Sequence, residues 1–335
     1  MWMRQFPRGE PVWGQCRFVF DVDAEQYDWL VVYDDLPTAE TERFSVARQP
    51  LACPAGHTLL VTTEPASVKY YGRRYTRQFA HILSSQEPWV IDHPGLIHQQ
   101  AGLRWFYGCG ERHRLDFDRM RDHPPLHKTN DVSTVCSAKR QRHTLHHHRY
   151  RFTQRLKRLL PELDIYGHGV RLIDDKAEAL DSYRYHVAIE NHIAPHHWTE
   201  KLADAFLGCT LPFYHGCPNA SDYFPAESFI AIDLRNPAEC AAAIREAIET
   251  DAWSKRLPAI LEARRRVLER YNLFAELSRL IEQHHPAAGG RQGTVNGAAA
   301  PVLLSRHAVR RTAPAGAVTD WLRKMWVRTR LYASR

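Results

Sequence analysis

The stretch YHVAIENHIAPHHWTEKLADAFLGCTLPFY, Tyr185–Tyr214, sets the architecture of the second half of the chain. Tyr185–Ile189 is a short, β-branched and aromatic run and reads as a strand. Thr199–Leu207 places Leu202, Ala205 and Phe206 together and reads as a helix, broken at Gly208. Thr210–Tyr214 returns as a strand. Strand, helix, strand is the unit of a doubly wound α/β sheet.

The pattern extends both ways. Upstream, Val132–Cys136 and Leu163–Tyr166 read as strands, and Arg149–Leu160 as a helix with Phe152, Leu156, Leu159 and Leu160 on one face. Downstream, Phe229–Ile232 reads as a strand, Pro237–Thr250 as a helix, and Trp253–His284 as helical with a break near Pro258. The first third repeats the theme with strands at Cys16–Phe20, Trp29–Tyr33, Thr58–Thr62 and Ala80–Leu83. A polar, Pro-containing zone, Asp116–Asp131, separates the two parts. The expected division is a domain over 1–130, a second over 131–285, a flexible Gly/Ala-rich linker over 286–301 and a basic tail over 302–335.

Composition excludes several classes. Seven scattered cysteines without a C-x-x-C pair indicate neither a disulfide framework nor a cysteine zinc site, and fit a reducing cytosol. The N-terminus has no apolar core of signal-peptide length, and no run approaches the roughly 20 apolar residues that span a bilayer. The net charge of +7 is local: eight Lys/Arg and one Asp between Arg306 and Arg335 carry it, and the rest of the chain is formally neutral. The body therefore needs no nucleic-acid partner.

Chemistry concentrates at the start of the 199–207 helix. Thr199 is an N-cap type, and Glu200 and Lys201 fill the first turn. A lysine there opposes the helix dipole. A solvated charged pair accounts for it, and so does an anion seated on the free N–H groups of the turn.

The wider segment resembles the α-1,3-fucosyltransferases of glycosyltransferase family 10. The matching pieces are Ile189-Glu190-Asn191, Thr199-Glu200-Lys201, Pro212 and Gly216, Tyr223-Phe224-Pro225 and Ser228-Phe229-Ile230. The resemblance implies a GT-B fold, two Rossmann-like domains facing across a cleft, with the C-terminal one holding the nucleotide sugar. It implies an inverting fucosyltransferase that moves L-fucose from GDP-β-L-fucose to a glycan hydroxyl, in an α-1,3 linkage on a bacterial-type surface polysaccharide. Another inverting transferase with a different nucleotide sugar, or a non-catalytic nucleotide- or glycan-binding protein, stands as the alternative.

Roles follow residue by residue from the resemblance. Lys201 would bind the donor diphosphate, Glu200 sugar or ribose hydroxyls, and Asn191 would sit in the donor pocket. Arg149, with Phe152 three and Leu156 seven residues on, resembles the family's arginine helix and would be a second phosphate cation. His197 stands where the family often has tyrosine, so that contact is kept by imidazole or lost. Glu64, in Thr62-Thr63-Glu64-Pro65 after a strand, matches the proposed general base. Protein cations would replace the metal that other transferases use, so no cofactor is required and a divalent ion at most stimulates.

Other signals are weaker. Asp21-Val22-Asp23 is a short metal–diphosphate pattern at a strand end, and Asp34-Asp35 is similar. His146-His147-His148, His192 and His196 lack a metal-ligand spacing. Trp105-Phe106-Tyr107 reads as core or a domain seam, with an acceptor-sugar platform as the alternative. In the tail, Val318–Tyr332 as a helix puts Val318, Trp321, Leu322, Met325, Trp326 and Tyr332 on one arc, with Asp320, Arg323, Lys324 and Arg330 opposite. Val327 and Leu331 break the pattern. An interfacial helix on anionic lipid is expected, with the enzyme peripheral on the cytoplasmic membrane face.

Overall fold

The computed structural model describes residues 2–102, 104–136, 146–285, 301–312 and 314–333. The chain forms two compact units, one of residues 1–17 and 102–278, the other of 18–101 and 279–335. This differs from the expected division near 130. Phe117 and Met120, in the polar zone that suggested a boundary, are buried in the same core as Phe206 and Trp198. Phe6 stacks on Phe274 with centroids 4.0 Å apart, which places the N-terminus with that unit as well. The expected linker, apart from Pro301, lies outside the described residues.

The unit of residues 18–101 and 279–335 has a four-stranded parallel sheet of β1 (Leu30–Tyr33), β2 (Thr58–Val61), β3 (His81–Ser84) and β4 (Leu96–His98), in that order. All four residues of β2 are buried, as continuous apolarity requires of a central strand. The expected strand at Cys16–Phe20 is shorter. Only Cys16–Arg17 is extended, paired antiparallel with Val12–Trp13, and Phe20 is exposed.

The other unit has a five-stranded parallel sheet built from β5 (Asn130–Val135), β6 (Asp164–Tyr166), β7 (Tyr183–Ile189), β8 (Leu211–His215) and β9 (Ile230–Ala231), in the order β9-β8-β7-β5-β6. Helices α1 (His146–Leu159), α2 (Glu200–Leu207), α3 (Pro237–Glu249) and α4 (Ala252–Arg265) cover it. Tyr185, Val187 and Ile189 of β7 pack with Phe152 and Leu156 of α1 and Ile244 of α3. Ala188, pointing the other way, packs with Trp198 and with Leu202 and Phe206 of α2. Helices on both faces of parallel sheets bear out the α/β, Rossmann-like reading. Pro258 does not break α4, whose Trp253, Ile260 and Ala263 are buried on either side of it. The interruption comes at a π-turn, Arg266–Arg270, before α5 (Leu273–His284).

The tail belongs to the unit of residues 18–101 and 279–335. Val302–Leu304 pairs antiparallel with Arg48–Pro50. After α6 (Arg306–Thr312), α7 (Pro314–Ala333) buries Val327 and Leu331 in that unit's core. Asp320 accepts from the Arg73 amide at 3.4 Å, and Arg323 donates to the Trp89 carbonyl at 3.3 Å. The two residues that broke the apolar arc are thus the ones that dock the helix.

Candidate functional site

In the five-stranded sheet, β5 is followed by β6 on one side and β7 lies on the other. The crevice at the carboxyl ends of β5 and β7 is therefore the topological switch point, where doubly wound sheets bind ligands. Arg149, in the first turn of α1, spans this point. Its Nη2 donates to the Val135 carbonyl at 2.9 Å, and its Nη1 to the Ile189 carbonyl at 3.4 Å and to Asn191 Oδ1 at 3.0 Å. The buried guanidinium ties the two strand ends together and orients Asn191.

Directly after β7 comes Glu190, 1% exposed. Its Oε1 accepts from the Thr199 amide at 2.8 Å and its Oε2 from the Thr199 hydroxyl at 2.7 Å. The Thr199 hydroxyl in turn accepts from the Lys201 amide at 3.3 Å, the expected N-cap of α2. Gly216 closes the other side: a Cβ there would collide with Glu190 and Tyr214. The strand end and the helix start are therefore one rigid corner.

Lys201 sits on that corner. Its Nζ lies 2.9 Å from Glu200 Oε1, 3.2 Å from the Thr199 hydroxyl and 3.5 Å from Glu190 Oε2. Burial disfavours its charge, yet Glu200 and Glu190 outweigh burial and raise its pKa. Burial also pushes the Glu190 pKa up, against Lys201. For Glu200 burial is overcome by Lys201 and Lys176, which hold its carboxyl well below the usual range. His197 is 5% exposed, with its ring 5.3 Å from that of His192. Burial, with His192 and Lys201 adding to it, pushes its pKa down to about 3, so its imidazole is neutral.

The structure thus brings together Arg149, Asn191, His197, Glu200 and Lys201. Glu64 belongs to the other unit. It is exposed, three residues beyond the carboxyl end of β2, and its carbonyl accepts from Gln86 Nε2 at 2.7 Å. On the neighbouring strand end, Asp34 (φ 77°) accepts from Lys69 at 2.5 Å, Tyr71 at 2.6 Å and Thr63 at 2.9 Å. Asp21 and Asp23 are exposed, with Asp21 accepting from the Asp23 amide at 3.0 Å. Among the described residues no group of three or more His, Cys, Asp or Glu is arranged to hold a metal.

Sequence reasoning missed Lys176. It opens a 3-10 turn, Lys176–Ala179, capped by Asp175 and Glu178. Its Nζ reaches Asp204 Oδ2 at 2.7 Å and Glu200 Oε1 at 3.7 Å. The capping pair Asp175-x-x-Glu178 was a readable signal for the turn, but nothing in the sequence aims the lysine at α2.

A rigid corner with a cation at a helix start, at the switch point of a parallel sheet, is the nucleotide-site geometry of doubly wound α/β proteins. Residues 126–253, which hold Arg149, Asn191, His197, Glu200 and Lys201, match the family model Glycosyltransferase family 10 (fucosyltransferase) C-term, and the resemblance read from the motif is borne out. The chain is 30% identical over 106 residues to 4-galactosyl-N-acetylglucosaminide 3-alpha-L-fucosyltransferase 9 of Mus musculus, and equally to that of Rattus norvegicus. That match covers 30% of this chain and 29% of each relative, so the chain spans under a third of the length of the curated relatives it matches. Among solved structures, an alpha1,3-fucosyltransferase with GDP aligns with TM-score 0.42 and 17% identity over 64% of this chain and 76% of that one. An alpha1,3-fucosyltransferase with GDP-fucose aligns with TM-score 0.36 and 21% identity over 49% of each chain.

Proposed function

We propose that the chain is an inverting fucosyltransferase that transfers L-fucose from GDP-β-L-fucose to a glycan hydroxyl. The observation that carries this reading is the Glu190–Thr199–Lys201 corner, at the sheet's switch point and inside the segment that matches the family 10 model. The Lys201 ammonium and the first N–H groups of α2 take the diphosphate. Glu200 accepts from sugar or ribose hydroxyls, and Asn191, held by Arg149, completes the donor pocket beside the neutral His197. In the transfer the acceptor oxygen forms a bond to the anomeric carbon while the bond from that carbon to the diphosphate breaks. The electron pair leaves on GDP, where Lys201 stabilises the growing charge. The acceptor proton passes to a carboxylate, which we assign to Glu64. The protein's own cations serve the leaving group, so turnover does not require a divalent metal. An α-1,3 linkage on a bacterial-type surface glycan is the acceptor chemistry of this reading.

A donor screen tests it. Thermal shift should report stabilisation by GDP and GDP-fucose, with little from UDP-glucose. Stabilisation by UDP-glucose alone would instead favour an inverting transferase with another donor. Donor binding with no hydrolysis of GDP-fucose would favour a binding protein.

We also propose that α7 lies on anionic lipid at the cytoplasmic membrane face. The support is its outward arc: Val318, Trp321, Leu322, Met325 and Trp326 are 44–59% exposed, opposite the docked Val327 and Leu331. Arg328 borders the arc, and Arg330, on the other side, lies 4.4 Å over the Trp89 ring. Tryptophan with flanking arginine suits the interface. No helix among the described residues is long and apolar enough to cross a membrane. The double variant Trp321→Glu/Leu322→Glu leaves the docking residues intact. It should lose flotation with anionic liposomes that the parent chain shows at low salt; equal flotation would remove the helix's role.

A further inference from the structure

Five charged side chains form a row of alternating sign beside the α2 start. Glu190 meets Lys201 at 3.5 Å, Lys201 meets Glu200 at 2.9 Å, Glu200 meets Lys176 at 3.7 Å, and Lys176 meets Asp204 at 2.7 Å. Both ends are fixed. Glu190 is held by Thr199, and Asp204 Oδ1 accepts the Phe106 and Tyr107 amides, each at 3.1 Å. The Lys176 ammonium also lies 5.2 Å over the Phe106 ring, and its backbone is set by the capped turn. The three interior members, Lys201, Glu200 and Lys176, are about one-fifth exposed.

An anion that takes Lys201 disturbs this row. The two buried end carboxylates cannot move, and Glu200 would lose its nearest cation. A buried carboxylate left without a partner is strongly unfavourable. Lys176 is the cation already within reach of Glu200. We propose that Lys176 is a positioning residue of the donor site: it holds the Glu200 carboxylate and takes over its charge when Lys201 turns from Glu200 to a nucleoside diphosphate. This rests on the donor-site reading above. The other charged or titratable groups facing the row include Arg149 from α1, His186 on β7, His197 before α2, Tyr214 and Cys217 beside Glu190, and Arg4 toward Asp204. Burial holds both imidazoles neutral, so they cannot replace Lys176 at ordinary pH.

The test is calorimetric GDP titration of the full chain and four variants, each checked for folding by circular dichroism. Lys176→Met leaves three carboxylates to one ammonium, so Lys201 is held back and GDP should bind roughly tenfold more weakly, the scale of one charge-assisted hydrogen bond. Lys176→Arg should restore most of the affinity. Lys176→Met/Asp204→Asn should not restore it, because Glu200 still has no cation to take over when Lys201 turns away, although the amide oxygen keeps both backbone contacts. Asp204→Asn alone should bind GDP more tightly than the parent, and this arm decides the matter if Lys176→Met does not fold. Affinity unchanged in Lys176→Met, lost without rescue by Lys176→Arg, or fully restored by Lys176→Met/Asp204→Asn overturns the proposal, as does Asp204→Asn binding no tighter than the parent. Failure of the parent chain itself to bind GDP overturns the donor-site reading together with this one.

Discussion

Glu190 grips Thr199 with both carboxylate oxygens, one on the amide at 2.8 Å and one on the hydroxyl at 2.7 Å. This pair converts a strand end and a helix start into a single part. In Glu190→Gln, the atom facing the Thr199 hydroxyl becomes a donor, opposite an oxygen that already accepts from the Lys201 amide and ammonium. The expected loss of stability is about 1–3 kcal/mol, the scale of a buried group left unsatisfied. Urea denaturation checks it. A variant as stable as the parent, with unaltered GDP affinity, would mean the corner is held elsewhere.

Glu64→Gln keeps shape and removes basicity. Turnover should fall about 10²-fold or more, the range for loss of a general base, with GDP affinity unchanged. Near-normal turnover in the variant would place the base on another residue. Asp34 is poorly suited to that task. Burial raises its pKa, but hydrogen bonds from Lys69 and Tyr71 outweigh burial and leave it depressed, a weak base with its oxygens already engaged.

Most of the sheet was legible in the sequence, and for a physical reason. Buried parallel strands read as near-continuous runs of apolar, aromatic and β-branched residues, so β2 stands out within a residue of its ends and the Val187–Ile189 end of β7 does likewise. The site was legible where a helix cap and a strand end fall close together in sequence, at Glu190–Lys201. Other parts required the third dimension. Arg149 reads as one of several arginines on a basic helix, and only the fold shows it tying Val135 to Ile189. Lys176 comes from a separate turn. An apolar arc on a helix also does not say which side is docked. Val327 and Leu331, outside the arc of α7, are the buried ones.

That inversion makes the tail's contribution to stability testable. Leu303 is 1% exposed, on the strand that pairs with Arg48–Pro50, and packs in the core that also holds Val327. Leu303→Ala should cost about 2–5 kcal/mol, the range for a buried leucine that leaves a cavity. Thermal or urea unfolding measures it. A variant indistinguishable from the parent would show that the tail does not share this core in solution.

Two buried histidines give the fold a defined response to acid. Burial pushes the pKa of both His186 and His197 from the ordinary 6.5 down to about 3. The unfolded chain therefore binds more protons than the folded one between these values, so stability rises with pH there. It is complete above pH 6.5 and erodes on acidification, by about 1.4 kcal/mol per pH unit for each imidazole. Carboxylates held below their usual range, such as Glu200, add to the loss at lower pH. His197→Gln isolates one contribution. Denaturation at pH 7.5 and pH 5 should show a smaller drop in the variant than in the parent. Equal drops would mean that His197 is protonated in the fold.

On the donor-site reading, Lys201, on the corner built by Glu190 and Thr199, holds the diphosphate of a guanine nucleotide. Calorimetric titration of GDP into the full chain and into Lys201→Ala tests it most directly. The account predicts saturable GDP binding by the parent and a loss of about 1.5–3 kcal/mol in the variant, the scale of a charge-assisted hydrogen bond. A folded Lys201→Ala chain that binds GDP as well as the parent would contradict it.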